Sequence, residues 1–273
     1  MLQYLKTKSV EELHSYFADQ LAAEQKVPAE QFSLPGRCYI CDKPSTFRIE
    51  PAHHTQNWRE TLACENCWLI NRWRSCFHLF EQLCLPNRNW TPYLTEAVTP
   101  LFKLFRQRYP NARGSEYHPG RKPGAKFYTR GRRVEMQDVT ALTFDDDSFE
   151  AVLSFDVLEH VPDFHSALGE FNRVLKPGGK LLLSVPFTFR QETELRCQVA
   201  PDGTLNHLLP PQYHEDPLSK KGVLCYQVFG MDVLDFMATA GFDDAWACCY
   251  MAADWGYLGA NVMFIGEKPA KLA

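Results

Sequence analysis

The sequence lacks a long apolar run and carries little excess charge. No stretch approaches the roughly 18 apolar residues that a membrane-spanning helix needs, and residues 1–8 lack the apolar core of a secretion signal. We therefore expect a cytoplasmic protein that does not cross a membrane. The net charge of −4 gives no overall attraction to nucleic acid or anionic lipid. With 45% hydrophobic residues, the chain can bury a core and is not a disordered protein.

Cysteine, in contrast, is abundant, with ten residues in a chain that shows no export signal. Four of them form two C-x-x-C pairs, Cys38 with Cys41 and Cys64 with Cys67, separated by 22 residues. Two such turns can close a tetrahedral four-sulfur site with no open position, so the spacing predicts structural zinc. The alternative is a pair of reduced or redox-active thiol turns.

Two histidines, His53 and His54, lie between the cysteine pairs and could replace one cysteine as a ligand. Because four sulfurs already fill a zinc coordination shell, we expect these histidines to be loop residues. Cys76 and Cys84 follow the spacing of apolar residues in a helix and are expected to be core thiols.

The hydrophobic patterning divides the chain into two parts. Residues 1–88 are expected to form a helical arm, the cysteine module and a connecting helix. Residues 89–273 alternate between strand and helix patterns, which predicts an α/β fold with a doubly wound, mostly parallel, seven-stranded sheet. Periodicity fails at about 187–229, and this proline-rich stretch is expected to be a functional insertion or lid.

Charge is unevenly distributed within the second part. Residues 101–133 contain ten Lys or Arg and one acid, whereas residues 134–163 contain nine Asp or Glu and no Lys or Arg. The basic stretch together with a zinc module would suit an RNA-binding module. The adjacent acidic stretch favours charge segregation around a pocket, with part of the basic stretch forming a solvated face, so we do not expect nucleic acid as a partner.

Four segments in the second part carry a recognisable pattern: Asp138–Phe144, Asp147–Phe149, Leu153–His160 and Phe171–Gly179. Together they resemble class I S-adenosylmethionine-dependent methyltransferases, in particular the small-molecule branch. The resemblance is specific over about 138–186, extends more weakly over about 91–267, and implies a Rossmann-like fold that binds S-adenosylmethionine.

The resemblance also implies roles for individual residues around that cofactor. Glu116, at the end of the second strand, is expected to accept hydrogen bonds from the ribose hydroxyls, with Tyr117 packed on the adenine ring. Asp138 would accept from the adenine amino group, and Val139 would supply main-chain contacts. The residues expected at the methionyl end are Ser154 and Phe155.

The family's first loop is rich in glycine, whereas the corresponding residues here, 95–99, contain none. Three explanations are open. The cofactor sits differently, with Glu96 pairing its ammonium and Thr95 or Thr99 bonding its carboxylate while Ala97 lines the loop. Alternatively, the chain is a pseudo-methyltransferase scaffold, or the pocket takes another nucleoside-like ligand. We favour the first, because Glu116 and Asp138 would otherwise have no obvious task.

Two histidines are candidates for removing a proton from the methyl acceptor: His160, just after the fourth strand, and His214 in the insertion. Imidazole is suited to this task near neutral pH. The expected partner is a small-molecule or sugar-like acceptor. The sequence leaves a homo-oligomer open.

Overall fold

A computed structural model describes residues 1–24, 32–49, 57–216 and 219–270. His53 and His54 lie outside the described residues. Over the described ranges, the structure contains no helix that is both long and apolar enough to cross a membrane.

The structure contains six α-helices and eighteen strands in its described residues. The helices are α1 (Val10–Glu24), α2 (Trp58–Thr61), α3 (Asn71–Cys84), α4 (Pro100–Arg108), α5 (Phe164–Val174) and α6 (Val233–Thr239). The strands are β1 (Leu5–Thr7), β2 (Ser33–Cys38), β3 (Lys43–Ile49), β4 (Leu62–Cys64), β5 (Tyr93–Leu94), β6 (Arg113–Glu116), β7 (Lys126–Thr129), β8 (Arg132–Met136), β9 (Phe149–Phe155), β10 (Leu175–Ser184), β11 (Glu194–Leu195), β12 (Cys197–Val199), β13 (Leu205–His207), β14 (Tyr213–Asp216), β15 (Ser219–Leu224), β16 (Gln227–Val228), β17 (Trp246–Ala252) and β18 (Tyr257–Glu267).

The chain divides into two compact units. Residues 1–86 and 247–263 form what we call the N-terminal unit, and residues 87–246 and 264–273 form the sheet unit. Residues 247–263 belong to the N-terminal unit, where β1 runs antiparallel to β17 with Leu5 opposite Cys249.

The sheet unit is built on strands in the order β18–β10–β9–β5–β6–β8–β7. The pairs from β10 to β8 are parallel, whereas the two outer strands, β18 and β7, are antiparallel to their neighbours. This confirms the expected mostly parallel α/β fold. Because the inner strands are parallel, the carboxyl ends of β5, β6, β8 and β9 meet at one edge.

Helix boundaries in the sheet unit follow local chemistry. The hydroxyl of Thr99 accepts a hydrogen bond from the main-chain N–H of Phe102 and so caps α4, with Pro100 at its first position. Asp163 caps α5 in the same way through Ser166. The apolar face of α5 is buried as its periodicity predicts, at Phe164, Ala167, Leu168, Phe171 and Val174.

The described residues of the insertion, 187–216 and 219–229, form three two-stranded antiparallel sheets, β11–β16, β12–β13 and β14–β15. The insertion is hydrogen-bonded to the turn that follows β9, because the Gln227 side-chain amide donates to the main-chain carbonyls of Leu158 and Val161 at 2.5 and 3.1 Å. The insertion therefore lies against the carboxyl edge of the sheet, beside the residues that follow β9.

In the N-terminal unit, strands β2, β3 and β4 form a three-stranded antiparallel sheet. Its core combines cysteines with large apolar side chains, which are Cys38, Phe47, Trp58, Leu62, Cys64 and Leu258. The cysteine module thus has its own small sheet, which the sequence pattern did not predict.

Candidate active site and metal centre

The four cysteines of the two C-x-x-C pairs come together in the N-terminal unit. Their sulfurs all lie within 4.8 Å of one another, and the Sγ–Sγ distances are 3.9 Å for Cys38–Cys67 and for Cys41–Cys64. All four are free thiols. A tetrahedron with metal–sulfur bonds of about 2.3 Å has edges of about 3.8 Å, so the sulfurs stand at the spacing of a four-thiolate zinc site.

The surroundings of the sulfurs differ from one cysteine to the next. Burial raises the pKa of the Cys41 thiol to about 12. Hydrogen bonds from Cys38 and Cys67 lower the pKa of Cys64, and the Ser45 hydroxyl lies 3.1 Å from its sulfur. Donors around a thiolate are the outer-shell contacts that stabilise a metal-bound sulfur.

A buried cation, the guanidinium of Arg74, lies near this cluster. It is fully buried, lies 4.3 Å from the Phe47 ring centroid, and donates to four main-chain carbonyls. Burial lowers the pKa of Arg74, and electrostatic interaction with Tyr257 and with the nearby cysteines acts in the opposite direction. A dianionic four-thiolate zinc centre would supply charge that offsets this cation. The accepting residues are Leu62, Leu69, Trp255 and Gly256.

In the sheet unit, Glu116 ends β6 at the carboxyl edge. Its Oε1 accepts hydrogen bonds from the main-chain N–H groups of Ala97 and Val98, at 2.7 and 2.9 Å. Glu116, which is predicted to bind the ribose hydroxyls, therefore also holds Ala97 and Val98 of the glycine-free loop. A carboxylate can accept about four hydrogen bonds, so these two contacts are compatible with ligand binding by the same group.

The rest of the loop is held by neighbouring strands. The Thr95 hydroxyl donates to the Ser154 hydroxyl at 3.3 Å, and the Thr95 N–H donates to the Leu153 carbonyl at 3.1 Å. Ala97 is 3% exposed and packs in a cluster with Phe127 and neighbouring apolar residues of β8. The Thr99 hydroxyl already caps α4. Of the candidate polar side chains in the loop, Thr95 and Thr99 therefore have local structural roles.

The other predicted cofactor residues follow the next strands. One oxygen of Asp138 accepts from the N–H and hydroxyl of Thr140, which forms a tight turn directly after β8. Val139 is half-buried in that turn, and Tyr117 is 59% exposed beside Glu116. Ser154 and Phe155 are buried at the end of β9. These residues share one edge of the sheet because their strands are parallel.

His160 and His214 come together around a residue that sequence reasoning missed, Glu159. Its Oε1 lies 3.6 Å from Nε2 of His160 and 3.6 Å from Nδ1 of His214. The Glu159 side chain is fully buried, and burial raises its pKa. Glu159 raises the pKa of His214 in turn. One sequence signal could have identified Glu159. It is an acid beside a histidine, directly after a buried strand, in a segment that resembles the methyltransferase family.

Open α/β sheets bind their ligands outside the carboxyl ends of the strands. Residues 100–183 match the family described as "Methyltransferase domain". The match begins at α4, just after the glycine-free loop, and ends within β10.

The chain is also similar to individual proteins. Demethylmenaquinone methyltransferase of Thermus thermophilus is 33% identical over 96 residues, 33% of this chain and 44% of that protein. A ubiquinone/menaquinone biosynthesis C-methyltransferase of Desulfotalea psychrophila is 37% identical over 81 residues, 28% of this chain and 33% of that protein. A solved S-adenosylmethionine-dependent methyltransferase of Mesorhizobium loti is 14% identical with a TM-score of 0.44, covering 72% and 98% of the chains. The chain spans less than half the length of these curated relatives.

Proposed function

We propose that this chain is an enzyme that transfers a methyl group from S-adenosylmethionine to a small-molecule or sugar-like acceptor. The observation that carries the proposal is the ordered set of acids, Glu116 after β6 and Asp138 after β8, at the edge where an α/β sheet binds nucleotides. The similarity of residues 100–183 to a methyltransferase domain supports the same activity.

The proposed cofactor contacts follow from the chemistry of these groups. Carboxylates accept hydrogen bonds, so Glu116 suits ribose hydroxyls and Asp138 suits the adenine amino group. Tyr117 offers an exposed aromatic face for stacking on adenine. Glu96 is assigned to the ammonium of the methionyl end, where Ser154 and Phe155 close the pocket from the sheet side.

S-Adenosylmethionine supplies an electrophilic methyl carbon bound to a sulfonium. The acceptor's nucleophilic atom forms a bond to that carbon while the sulfur–carbon bond breaks, and its electron pair returns to sulfur, giving a neutral thioether. An oxygen or nitrogen acceptor also releases one proton. The chain mainly has to hold donor and acceptor in line and to assist loss of that proton. We assign removal of the acceptor's proton to His160 and His214.

We further infer that the four clustered cysteines bind one structural zinc ion. The 3.9 Å sulfur separations fit zinc–thiolate geometry, and four sulfur ligands leave no open position for chemistry. Zinc would tie the β2–β3–β4 sheet together in a small unit whose apolar core is limited.

Calorimetric titration with S-adenosylmethionine and with S-adenosylhomocysteine tests the activity proposal. We expect saturable binding to the intact chain. Asp138→Asn keeps an oxygen that can accept from Thr140, and its second terminal group becomes a donor that opposes the adenine amino group. Binding to this variant should weaken by about 10- to 100-fold, the effect of losing one hydrogen bond to a charged group.

Asp243→Asn is the matched control, because Asp243 is an exposed acid in the turn before β17. Its affinity for S-adenosylmethionine should equal that of the unmodified chain. Absence of heat at millimolar ligand, or equal affinity in Asp138→Asn, would overturn the proposed site. The first of these results would instead favour a scaffold that has lost its cofactor.

A further inference from the structure

The group formed by Glu159, His160 and His214 has the composition of a metal site. Glu159 and His160 lie in a short 3-10 turn directly after β9, and His214 reaches them from β14 of the insertion. Their ligand atoms, one carboxylate oxygen and two ring nitrogens, all lie within 4.8 Å of one another. Two imidazoles and one carboxylate are a common ligand set for divalent transition metals.

The carboxylate of Glu159 has no hydrogen-bond donor in the described part of the chain. Both of its oxygens are buried, and neither has a hydrogen-bond partner among the described residues. Burying a carboxylate without a compensating partner is strongly unfavourable. Asp156 adds a second negative charge near Glu159. A cation between the three side chains would satisfy Glu159 and offset both charges.

The outward nitrogens of both histidines are already engaged, which orients the inward nitrogens toward Glu159. Nδ1 of His160 lies 2.8 Å from the Leu224 carbonyl, so it donates there and leaves a lone pair on Nε2. Nε2 of His214 lies 3.1 Å from the side-chain amide nitrogen of Gln212. A half-turn of that amide brings its oxygen to the ring, so that Gln212 accepts from Nε2 and the lone pair of His214 lies on Nδ1. Second contacts of this kind orient metal-binding histidines.

The distances from Glu159 to both histidines are longer than a direct hydrogen bond. A hydrogen bond between imidazole and carboxylate has a nitrogen–oxygen distance of about 2.7–3.2 Å, and both pairs here measure 3.6 Å. Ligands at about 2.0–2.2 Å from one ion are themselves roughly 3.0–3.5 Å apart. We propose that Glu159, His160 and His214 form a binding site for one divalent transition-metal ion, distinct from the four-cysteine site.

The donor set indicates which ions the site would take. Two imidazole nitrogens favour a transition metal such as iron or zinc over magnesium and calcium, which prefer oxygen ligands, and the carboxylate also suits manganese. Three protein ligands leave open coordination positions. The next step rests on the proposed methyl transfer. In that reaction, the open coordination positions would hold an oxygen of the acceptor, so the acceptor would be a hydroxyl compound. His160 and His214 would then act as ligands and not as free bases.

Metal titration of the full chain tests the site. Protein treated with EDTA and desalted, so that the tightly held zinc of the cysteine site remains, is titrated with Mn²⁺ while free Mn²⁺ is followed by electron paramagnetic resonance. We expect one Mn²⁺ per chain. Glu159→Gln and His214→Ala should each weaken binding by at least about 100-fold, since even second contacts of ligands contribute up to that factor.

His207→Ala is the matched control, because His207 is an exposed histidine on β13 of the same insertion. It should bind Mn²⁺ as the unmodified chain does. Thermal unfolding and zinc content verify that each variant is folded. His214→Ala keeps the test decisive if Glu159→Gln does not fold, since His214 lies on a two-stranded sheet and is partly exposed.

Failure to bind Mn²⁺ or Co²⁺ at millimolar concentration, or unchanged binding in the folded variants, would overturn the metal site. Titration of the same samples with S-adenosylmethionine separates this inference from the proposed function. Cofactor binding without Mn²⁺ binding would remove the metal site alone. Mn²⁺ binding without cofactor binding would remove methyl transfer alone.

Discussion

Oε1 of Glu116 accepts a hydrogen bond of 2.7 Å from the main-chain N–H of Ala97. This contact and its neighbour to Val98 hold a loop that contains no glycine. The loop also packs closely against β6 at Gly114, which has no Cβ. A Cβ at Gly114 would lie 2.6 Å from the Glu96 carbonyl oxygen and 2.5 Å from the Phe102 ring.

Gly114→Ala should therefore destabilise the sheet unit. The added methyl group overlaps main-chain and ring atoms, and overpacking of this kind costs about 1–3 kcal/mol. The free energy of unfolding in urea measures the loss. Gly169→Ala is the control, because a Cβ at this position in α5 meets no atom within 4 Å and alanine favours helix by up to about 1 kcal/mol. Equal stability of the two variants would contradict the loop packing described here.

The helices and inner strands of the sheet unit could be predicted because their signals are local. Thr99 and Asp163 cap α4 and α5, and the apolar spacing of α5 matches its buried face. In contrast, β7 and the small sheets of the insertion are short and largely polar, so they carry no periodic pattern. Their existence depends on hairpin pairing, which the sequence pattern did not reveal.

The candidate sites also differ in whether a local sequence signal reveals them. The four cysteines could be found from spacing, since each pair is local and the chemistry of thiols is specific. Glu159 could not be assigned by itself, because its significance depends on His214, which lies 55 residues further along the chain. The role of Glu116 in holding Ala97 was also inaccessible, since a sequence shows which acid follows a strand and not which N–H groups it meets.

The zinc content of the protein should depend on the four cysteines. Purified protein is expected to contain one zinc per chain, and Cys41→Ser should lower that content by at least tenfold, since a thiolate ligand is lost from a closed site. Metal analysis after dialysis measures it. Cys84→Ala, a buried cysteine of α3, should keep its zinc. Zinc-free wild-type protein, or full zinc in Cys41→Ser, would contradict the assignment.

His78 links the stability of the N-terminal unit to pH. Its ring stacks on Tyr39 with centroids 3.7 Å apart, and its Nδ1 lies 3.3 Å from the Tyr257 hydroxyl. Burial lowers the pKa of His78 to about 4, and the N-terminal ammonium acts in the same direction. Folding therefore favours the neutral ring. Between about pH 6.5 and 4, the unfolded chain binds a proton that the folded chain does not.

The contribution of neutral His78 should be complete above pH 6.5 and should decrease as pH falls toward 4, by about 2–3 kcal/mol. His78→Phe keeps an aromatic ring against Tyr39 and removes the titration. The free energy of unfolding of both proteins is measured from pH 7 to 4.5. Over this range, wild type should lose about 2–3 kcal/mol relative to His78→Phe. Because the four-cysteine cluster is the same in both proteins, the difference isolates the histidine. His207→Gln, at an exposed position, should run parallel to wild type; a parallel curve for His78→Phe would contradict the prediction.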